Sequence, residues 1–535
     1  MAGSPEQFDG AAPGGAPGVV LAMAVPLLAV SFALVVRHRP RRGSSAGGAL
    51  LLASAAGVAV LASAGAHATA EARGGLDALR EERAVVRAVG VLRTDAEVAA
   101  LPWDASSSRC RAVVAASGVT ARGTTRAVGA RLEVTAPAPC PGWVRGAVVR
   151  IDGRLGETPV QGVSGALSAR TVTVLRPAVG VDALVARLRG GLLTASAGLE
   201  PQARGLVPGM TIGDTSRVPA EVEQAMLDVG LTHLTAVSGT HVAVVAIVVG
   251  AGAAALRAPR TLRAALLATA VGAFVLLVHP EPSVLRAALM GMVGVAGLLA
   301  GRGSSALPAL AAAVVVLLVV DPALAVAYGF LLSVAATAAI VLLAGPAAAA
   351  LTALPRWAAQ SVSVPLAAQS ACGPILVLLD PALSSWAVPA NVLAAPAVLP
   401  ATVLGLLATG AAPLSPTAAQ VLAHGSGLAT GWIAGVAVRC AALPGARLGW
   451  TGGFPGAVAL AALTALGWVL VARALRARAL RSASRQGARR AWPTGPSFGA
   501  RAGRRGAART GIGRWLSRGR LVPCPPPRAS PPRRQ

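Results

Sequence analysis

The sequence predicts a polytopic α-helical membrane protein with a small β-barrel insert and a disordered basic C-terminal tail. Three observations predict it. Hydrophobic residues make up 54% of the 535 residues and charged residues only 13%, where an ordinary soluble domain carries about 25% charged. Apolar runs approaching the roughly 20 residues that cross a bilayer recur along the chain. Between residues 85 and 176 the pattern changes to short alternating stretches separated by turn residues. Together they exclude a collagen, a disulfide scaffold and a soluble enzyme. The net charge is +27, and all 48 basic residues are arginine.

Two apolar segments, Gly18–Val36 and Gly48–Ala66, open the chain around Arg37-His38-Arg39-Pro40-Arg41-Arg42. Basic short loops stay in the cytoplasm, which puts the N-terminus and the residues after about 70 outside. Glu6 and Asp9 make the N-terminal flank acidic, unlike a cleaved signal peptide. Further segments follow at 227–256, 262–279, 284–300, 305–320, 324–344, 358–379, 386–409, 417–440 and 454–473. Alternation places Arg257, Arg260, Arg263, Arg302, Arg356 and the tail inside, and His279, Asp321 and Asp380 outside. Arg447 is the exception, falling outside. The expectation is about 11 transmembrane helices in the cell membrane, with a cytoplasmic C-terminus. The domains read as 1–70 (two transmembrane helices), 85–176 (extracellular insert), 177–226 (amphipathic, interfacial), 227–473 (membrane domain) and 474–535 (basic disordered tail).

The insert's strand candidates are Arg87–Arg93, Arg109–Ala115, Ala130–Thr135, Val144–Asp152 and Arg170–Leu175. Five strands in some 90 residues suit an OB-like barrel, and a sandwich fragment reads the same. The insert's charge of +6 would attract a polyanion. Its aromatic residues are only Trp103 and Trp143, a thin platform for stacking bases; an ordinary basic extracellular domain fits equally. Cys110 and Cys140 are its only cysteines, and an oxidising compartment lets them pair. Cys372 and Cys440 fall in spans as packing residues, and no cysteines show zinc-ligand spacing, so no metal is expected. Val181, Leu184, Val185 and Leu188 then recur at helical spacing, with Arg187, Arg189 and Arg204 elsewhere. This pattern fits a helix lying at the interface or packed on the bundle.

The most informative stretch is 205–249, where an acidic helical piece leads into an apolar helix carrying Thr232, His233, Ser238, Gly239, Thr240 and His241. Polar residues inside a span tend to face a cavity or a partner helix. Ser238 and His241 share a helix face. Three readings compete: a serine–histidine intramembrane protease, a metal site from His233 and His241, and a polar helix–helix contact with Ser238 and Gly239 allowing close approach. A protease needs an oxyanion hole and a suitably placed base. A metal needs a third ligand.

GLTHLTAVSGTHV at 230–242 resembles the signature of ComEC-type competence proteins, membrane channels for transforming DNA. GDTS at 213–216, PSVLRAALMG at 282–291, DPALAVAYGFLLSVAATAAI at 321–340, SVPLAAQSACGPIL at 363–376 and ANVLAAPAVLP at 390–400 resemble further family segments in order. The insert resembles the family's OB-like domain with its disulfide. Departures are Thr240 for the usual Leu, Glu281 where Arg is common and Val334 for Phe. The resemblance implies a channel for single-stranded transforming DNA. Its path would be shaped by Thr232, His233, Ser238, Gly239, His241, Pro282, Ser283, Arg286 and Asn391, with Arg286, just inside the outer mouth, either a phosphate contact or a side chain snorkelling to the interface. Implied partners are single-stranded DNA, the lipid bilayer, a DNA receptor, a cytoplasmic helicase, single-strand binding proteins and a second copy of the chain. Many members end in a metallo-β-lactamase-like domain. The six histidines here form no H-x-H-x-D-H cluster, and no phosphate-binding loop is present, so neither enzyme nor cofactor is expected. The alternative is a small-molecule secondary transporter, which predicts repeat-related broken helices that the sequence does not display. Residues 471–535 hold 17 arginines and no acid. The tail and insert thus account for most of the +27, and the membrane core is nearly neutral.

Overall fold

A computed structural model describes residues 57, 59–63, 76–101, 104–158, 163–235, 237–279, 282–299 and 306–490. Nearly all of both N-terminal spans, Trp103, Glu281, Arg302 and the tail beyond 490 lie outside the described residues. The chain divides into two units, 1–477 and 478–535. The first holds a barrel and a helical bundle; the described residues of the second, 478–490, are helical.

The insert forms β1 (Val85–Leu92), β2 (Glu97–Leu101), β3 (Asp104–Ala121), β4 (Thr124–Pro137), β5 (Val148–Gly156) and β6 (Gly165–Arg176). The strand order is β1-β5-β6-β4-β3-β2, and β1 also pairs with β3, closing five strands into a barrel. The β4–β6 pair is parallel and the others antiparallel, the Greek-key closure of an OB-type barrel. Strand β2, absent from the sequence reading, is an added edge on β3. Alternation explains the closure: Val86, Ala88 and Leu92 of β1 point into a core shared with Val114, Leu132, Ile151 and Leu167, while Arg87 and Val91 point out. Helix α1 (Leu76–Glu81) buries Leu76 against that core. Gly90 and Gly153 sit at register shifts, where a Cβ would strike the carbonyls of Ala115 and Ser168. The tight curvature at both bulges therefore needs glycine. Cys110 on β3 is disulfide-bonded to Cys140, just past β4.

The bundle comprises α2 (Gly180–Ala195), α3 (Pro201–Ile212), α4 (Ala220–Asp228), α5 (Gly239–Ala255), α6 (Arg260–Val278), α7 (Pro282–Leu299), α8 (Ala306–Val320), α9 (Tyr328–Ala350), α10 (Arg356–Leu376), α11 (Ala387–Ala411), α12 (Pro416–Ala441) and α13 (Gly453–Arg490). Five of these are long and apolar enough to cross a membrane: α6, α9, α11, α12 and α13 up to Arg478. Three shorter apolar helices lie in α5, α7 and α8. The described helices therefore do not yield a count of eleven.

Four local expectations change. The span expected over 227–256 is broken: α4 ends at Asp228, Gly230 turns the chain at φ 67°, Thr232–Leu234 forms a 3-10 turn, and α5 begins only at Gly239. Within the interfacial segment expected over 177–226, α3 is instead buried almost all round. Its small and apolar residues let it sit between α11 and α12, and a Cβ on Gly205 would overlap the backbone at Arg217 and Val218. Residues 474–490, expected as disordered tail, continue α13, because Ala, Leu and Arg are strong helix formers. Arg447, the topological exception, donates to Asp380 at 2.7 Å and lies 3.5 Å from Asp228 at the end of α4. The two carboxylates offset its charge.

Candidate functional site

The polar cluster of the bundle is built around the start of α5. Ser238 has extended backbone and caps the helix, its Oγ accepting from the Thr240 N–H at 3.3 Å. His241, fully buried, turns Nδ1 back to accept from the Ser238 N–H at 3.1 Å. This is a capping box with histidine in the place usually held by Glu or Gln. Because Nδ1 accepts, the ring proton is assigned to Nε2, which has no hydrogen-bond partner among the described residues. The Ser238 Oγ–His241 Nδ1 separation is 3.3 Å. The shared face expected of one continuous helix is thus replaced by a cap, and the two side chains meet through it.

Helix α7 docks on this cap. Pro282 is its first residue, where a missing N–H costs nothing. The Ser283 hydroxyl donates to the Val237 carbonyl at 3.1 Å. Gly239 allows the close approach: a Cβ there would stand 3.3 Å from Ala287 Cβ and 3.4 Å from Arg286 Nη2. Arg286 itself is 4% exposed. Its Nε and Nη2 donate to Ser333 Oγ at 3.1 and 2.7 Å, and its Nη1 donates to Thr337 Oγ1 at 2.7 Å and lies 3.4 Å from Met290 Sδ. No carboxylate lies within ion-pair reach among the described residues. Arg286 is therefore a buried bolt between α7 and α9, not a side chain open to an outer mouth. Ser333 and Thr337, one turn apart on α9, were not singled out from the sequence; their i, i+4 hydroxyls are the only local signal.

Three motif segments thus meet in space: 237–241, 283–286 and 333–337. Other expected positions do not join them. His233 is exposed on the 3-10 turn and contacts the Gly230 carbonyl at 3.1 Å. Thr232 accepts the Thr235 hydroxyl through its carbonyl. Asn391 donates to Ala387, one turn back on α11. Among the described residues no three His, Cys, Asp or Glu side chains gather as metal ligands.

A second polar centre, invisible in the sequence, joins barrel to bundle. Arg189 of α2 donates Nε to Asp95, in the loop after β1, at 2.8 Å. Its Nη1 donates to the Ile212 carbonyl at 2.6 Å and the Leu277 carbonyl at 3.1 Å, at the ends of α3 and α6. A cation favours such helix C-termini. Asp95 also accepts the Arg145 N–H at 2.9 Å, and Arg145 lies 3.7 Å from Asp182. His279, held at φ 68°, places Nε2 3.6 Å from Asp95. Burial first, and then Arg189 and Arg145, push its imidazole down to about 4 against the pull of Asp95 and Asp182. It is neutral at pH 7, so this contact is polar rather than ionic. Arg131 pairs with Asp321 at 2.8 Å as a further tie between barrel and helices. On the barrel, Trp143 is buried in the core, so it offers no stacking face.

A largely helical chain with apolar spans, a polar cluster at a broken helix and an OB-type barrel tied to one end is a membrane protein with an appended barrel domain. Residues 210–476 match the family model described as competence protein. ComE operon protein 3 of Bacillus subtilis (strain 168) is 32% identical over 213 residues, covering 39% of this chain and 27% of that protein. The chain belongs to the ComEC-type competence-protein family. It aligns with about a quarter of the length of that curated relative, and no solved structure matches it.

Proposed function

We propose that the chain forms a multi-pass channel that carries single-stranded DNA across the cell membrane during natural transformation. The observation that carries this reading is Arg286: a buried guanidinium at the meeting of three motif segments, held by hydroxyls and a thioether. DNA cannot cross hydrocarbon, so its path needs polar groups at membrane depth. Charge-assisted bonds to phosphate are stronger than bonds to neutral hydroxyls, so a passing phosphate competes for Arg286 if α7 and α9 part. The broken helix before α5 supports the same reading, since irregular backbone at membrane depth belongs beside protein or a wet cavity.

In this reading the membrane carries about 11 spans, residues 70–226 lie on the outer side with α2 and α3 packed against the spans, the C-terminus is cytoplasmic, and the basic barrel gathers the strand. The chain is a conduit rather than an enzyme. A DNA receptor, a cytoplasmic helicase and single-strand binding proteins would deliver and draw in the strand, and a second copy could complete the path. The test is transformation of a deletion strain complemented with wild type, Arg286→Lys or Arg286→Glu at matched membrane abundance. Wild type restores uptake, the lysine variant restores part, and the glutamate variant restores none. Uptake unaffected by the deletion would reject the channel. Full uptake with Arg286→Glu would remove Arg286 from the path.

A further inference from the structure

The amphipathic face of α2 has no role in the polar cluster. Val181, Leu184, Val185 and Leu188 form one wall of an open groove of about 310 Å³. Phe274 and neighbours from the second half of α6, with Val245 of α5 and Leu406 of α11, complete it, and every lining side chain is apolar. Two of its walls, α6 and α11, are long and apolar enough to span a membrane, so in that setting the groove faces lipid. It sits in the half of α6 nearest the barrel, beside Leu277, whose carbonyl Arg189 holds. Water there would find no hydrogen-bond partner, whereas an acyl chain regains close contacts. Val181 and Leu184 remain 57% and 51% exposed, leaving an apolar rim.

We propose that this groove holds one acyl chain of an anionic phospholipid from the barrel-side leaflet, with its phosphate on Arg187. Arg187 is exposed and follows the groove-lining Leu184 by three residues, one turn along α2. It makes no hydrogen bond or ion pair among the described residues. A cation next to an apolar slot matches a lipid whose headgroup is negative and whose tail is not. The inference rests on the membrane setting of the helices and is independent of DNA transport. A seated lipid would brace α2, which also carries Arg189.

The test uses the full chain purified in detergent and mixed with phosphatidylglycerol or phosphatidylcholine, read by native mass spectrometry and thermal unfolding. Wild type is expected to retain one phosphatidylglycerol in preference to phosphatidylcholine and to melt higher with it. Ala273→Phe, which fills the groove, should lose that lipid and the shift. Arg187→Gln should keep a lipid but lose the preference for phosphatidylglycerol. Should Ala273→Phe not fold, Leu184→Trp narrows the groove from its exposed wall and is expected to act in the same way. Retention of the lipid by a folded groove-filling variant overturns the proposal, as does equal retention of both lipids by wild type. A wild-type dimer that the groove-filling variant dissociates also overturns it, because a second copy would then be the occupant.

Discussion

The barrel and the α11–α12 pair of the bundle are built inside out relative to one another. In the barrel the fully buried side chains are large, among them Leu92, Leu132, Ile151 and Leu155, and arginines such as Arg87, Arg150 and Arg154 face outward. In α11 and α12 the fully buried positions are, apart from Ile433, small, including Ala390, Ala401, Ala408, Ala419, Ala423, Ala434 and Ala437, with Thr402, Ser426 and Thr430 beside them. Leucines such as Leu407 and Leu428 face out, 54% and 81% exposed. Water drives large apolar groups inward, but lipid is as apolar as leucine and supplies no such force. Helices in lipid associate by close backbone approach, which small residues permit. The contrast teaches that the same composition bias serves two solvents, and that exposed leucines here mark the bilayer face.

The largest effect should come where the two regions meet. Arg189→Ala leaves Asp95 without its guanidinium and two helix-end carbonyls without their donor, so a loss of about 3–5 kcal/mol is expected. Thermal unfolding in detergent, with proteolysis reporting release of the barrel, would measure it; a wild-type melting curve would show that the clamp is dispensable. Next is Leu132→Ala in the barrel core, expected to cost about 2–5 kcal/mol. Cys110→Ser opens the 30-residue disulfide loop and should cost about 3–4 kcal/mol in the chain-entropy account. Barrel unfolding followed with and without reductant reads this, and reductant should do nothing to the serine variant.

His279 tests the junction by pH. Its folded-state value, about 4, lies below the ordinary 6.5. Its contribution to stability is therefore complete above about pH 6.5 and is lost as pH falls toward 4, reaching on the order of 2–3 kcal/mol. His279→Asn should flatten melting temperature against pH across that window; an unchanged slope would assign the acid sensitivity elsewhere. The smallest effect should be Leu428→Ala on the lipid-facing side of α12, within about 0.5 kcal/mol. A cost matching that of Leu132→Ala would break the contrast between the two regions.

Much of the local structure was legible in the sequence. The alternation of Val86, Ala88 and Leu92 with Arg87 specifies β1, and the apolar segments at 262–279, 386–409 and 417–440 fall within a few residues of α6, α11 and α12. Boundaries failed where a local conformation outvoted hydropathy. Gly230 and the Ser238 cap interrupt a run that composition alone reads as continuous. The site was legible only in pieces: Arg286 and the Ser333–Thr337 pair are 47 and 51 residues apart. Asp95 and Arg189, 94 residues apart, carry no motif at all.

By itself the sequence determined the solvent of each region, through hydropathy, and the secondary structure of most segments, through a period of two in the barrel and long apolar runs in the bundle. Both are properties of neighbours along the chain. Only the tertiary structure decided that Arg286 is a buried bolt, that Arg447 is neutralised and that Arg189 clamps barrel to bundle. Each of those facts depends on which distant carboxylate, hydroxyl or carbonyl reaches a guanidinium. An arginine's charge is written in the sequence, but its partner is set by the packing of elements far apart in it.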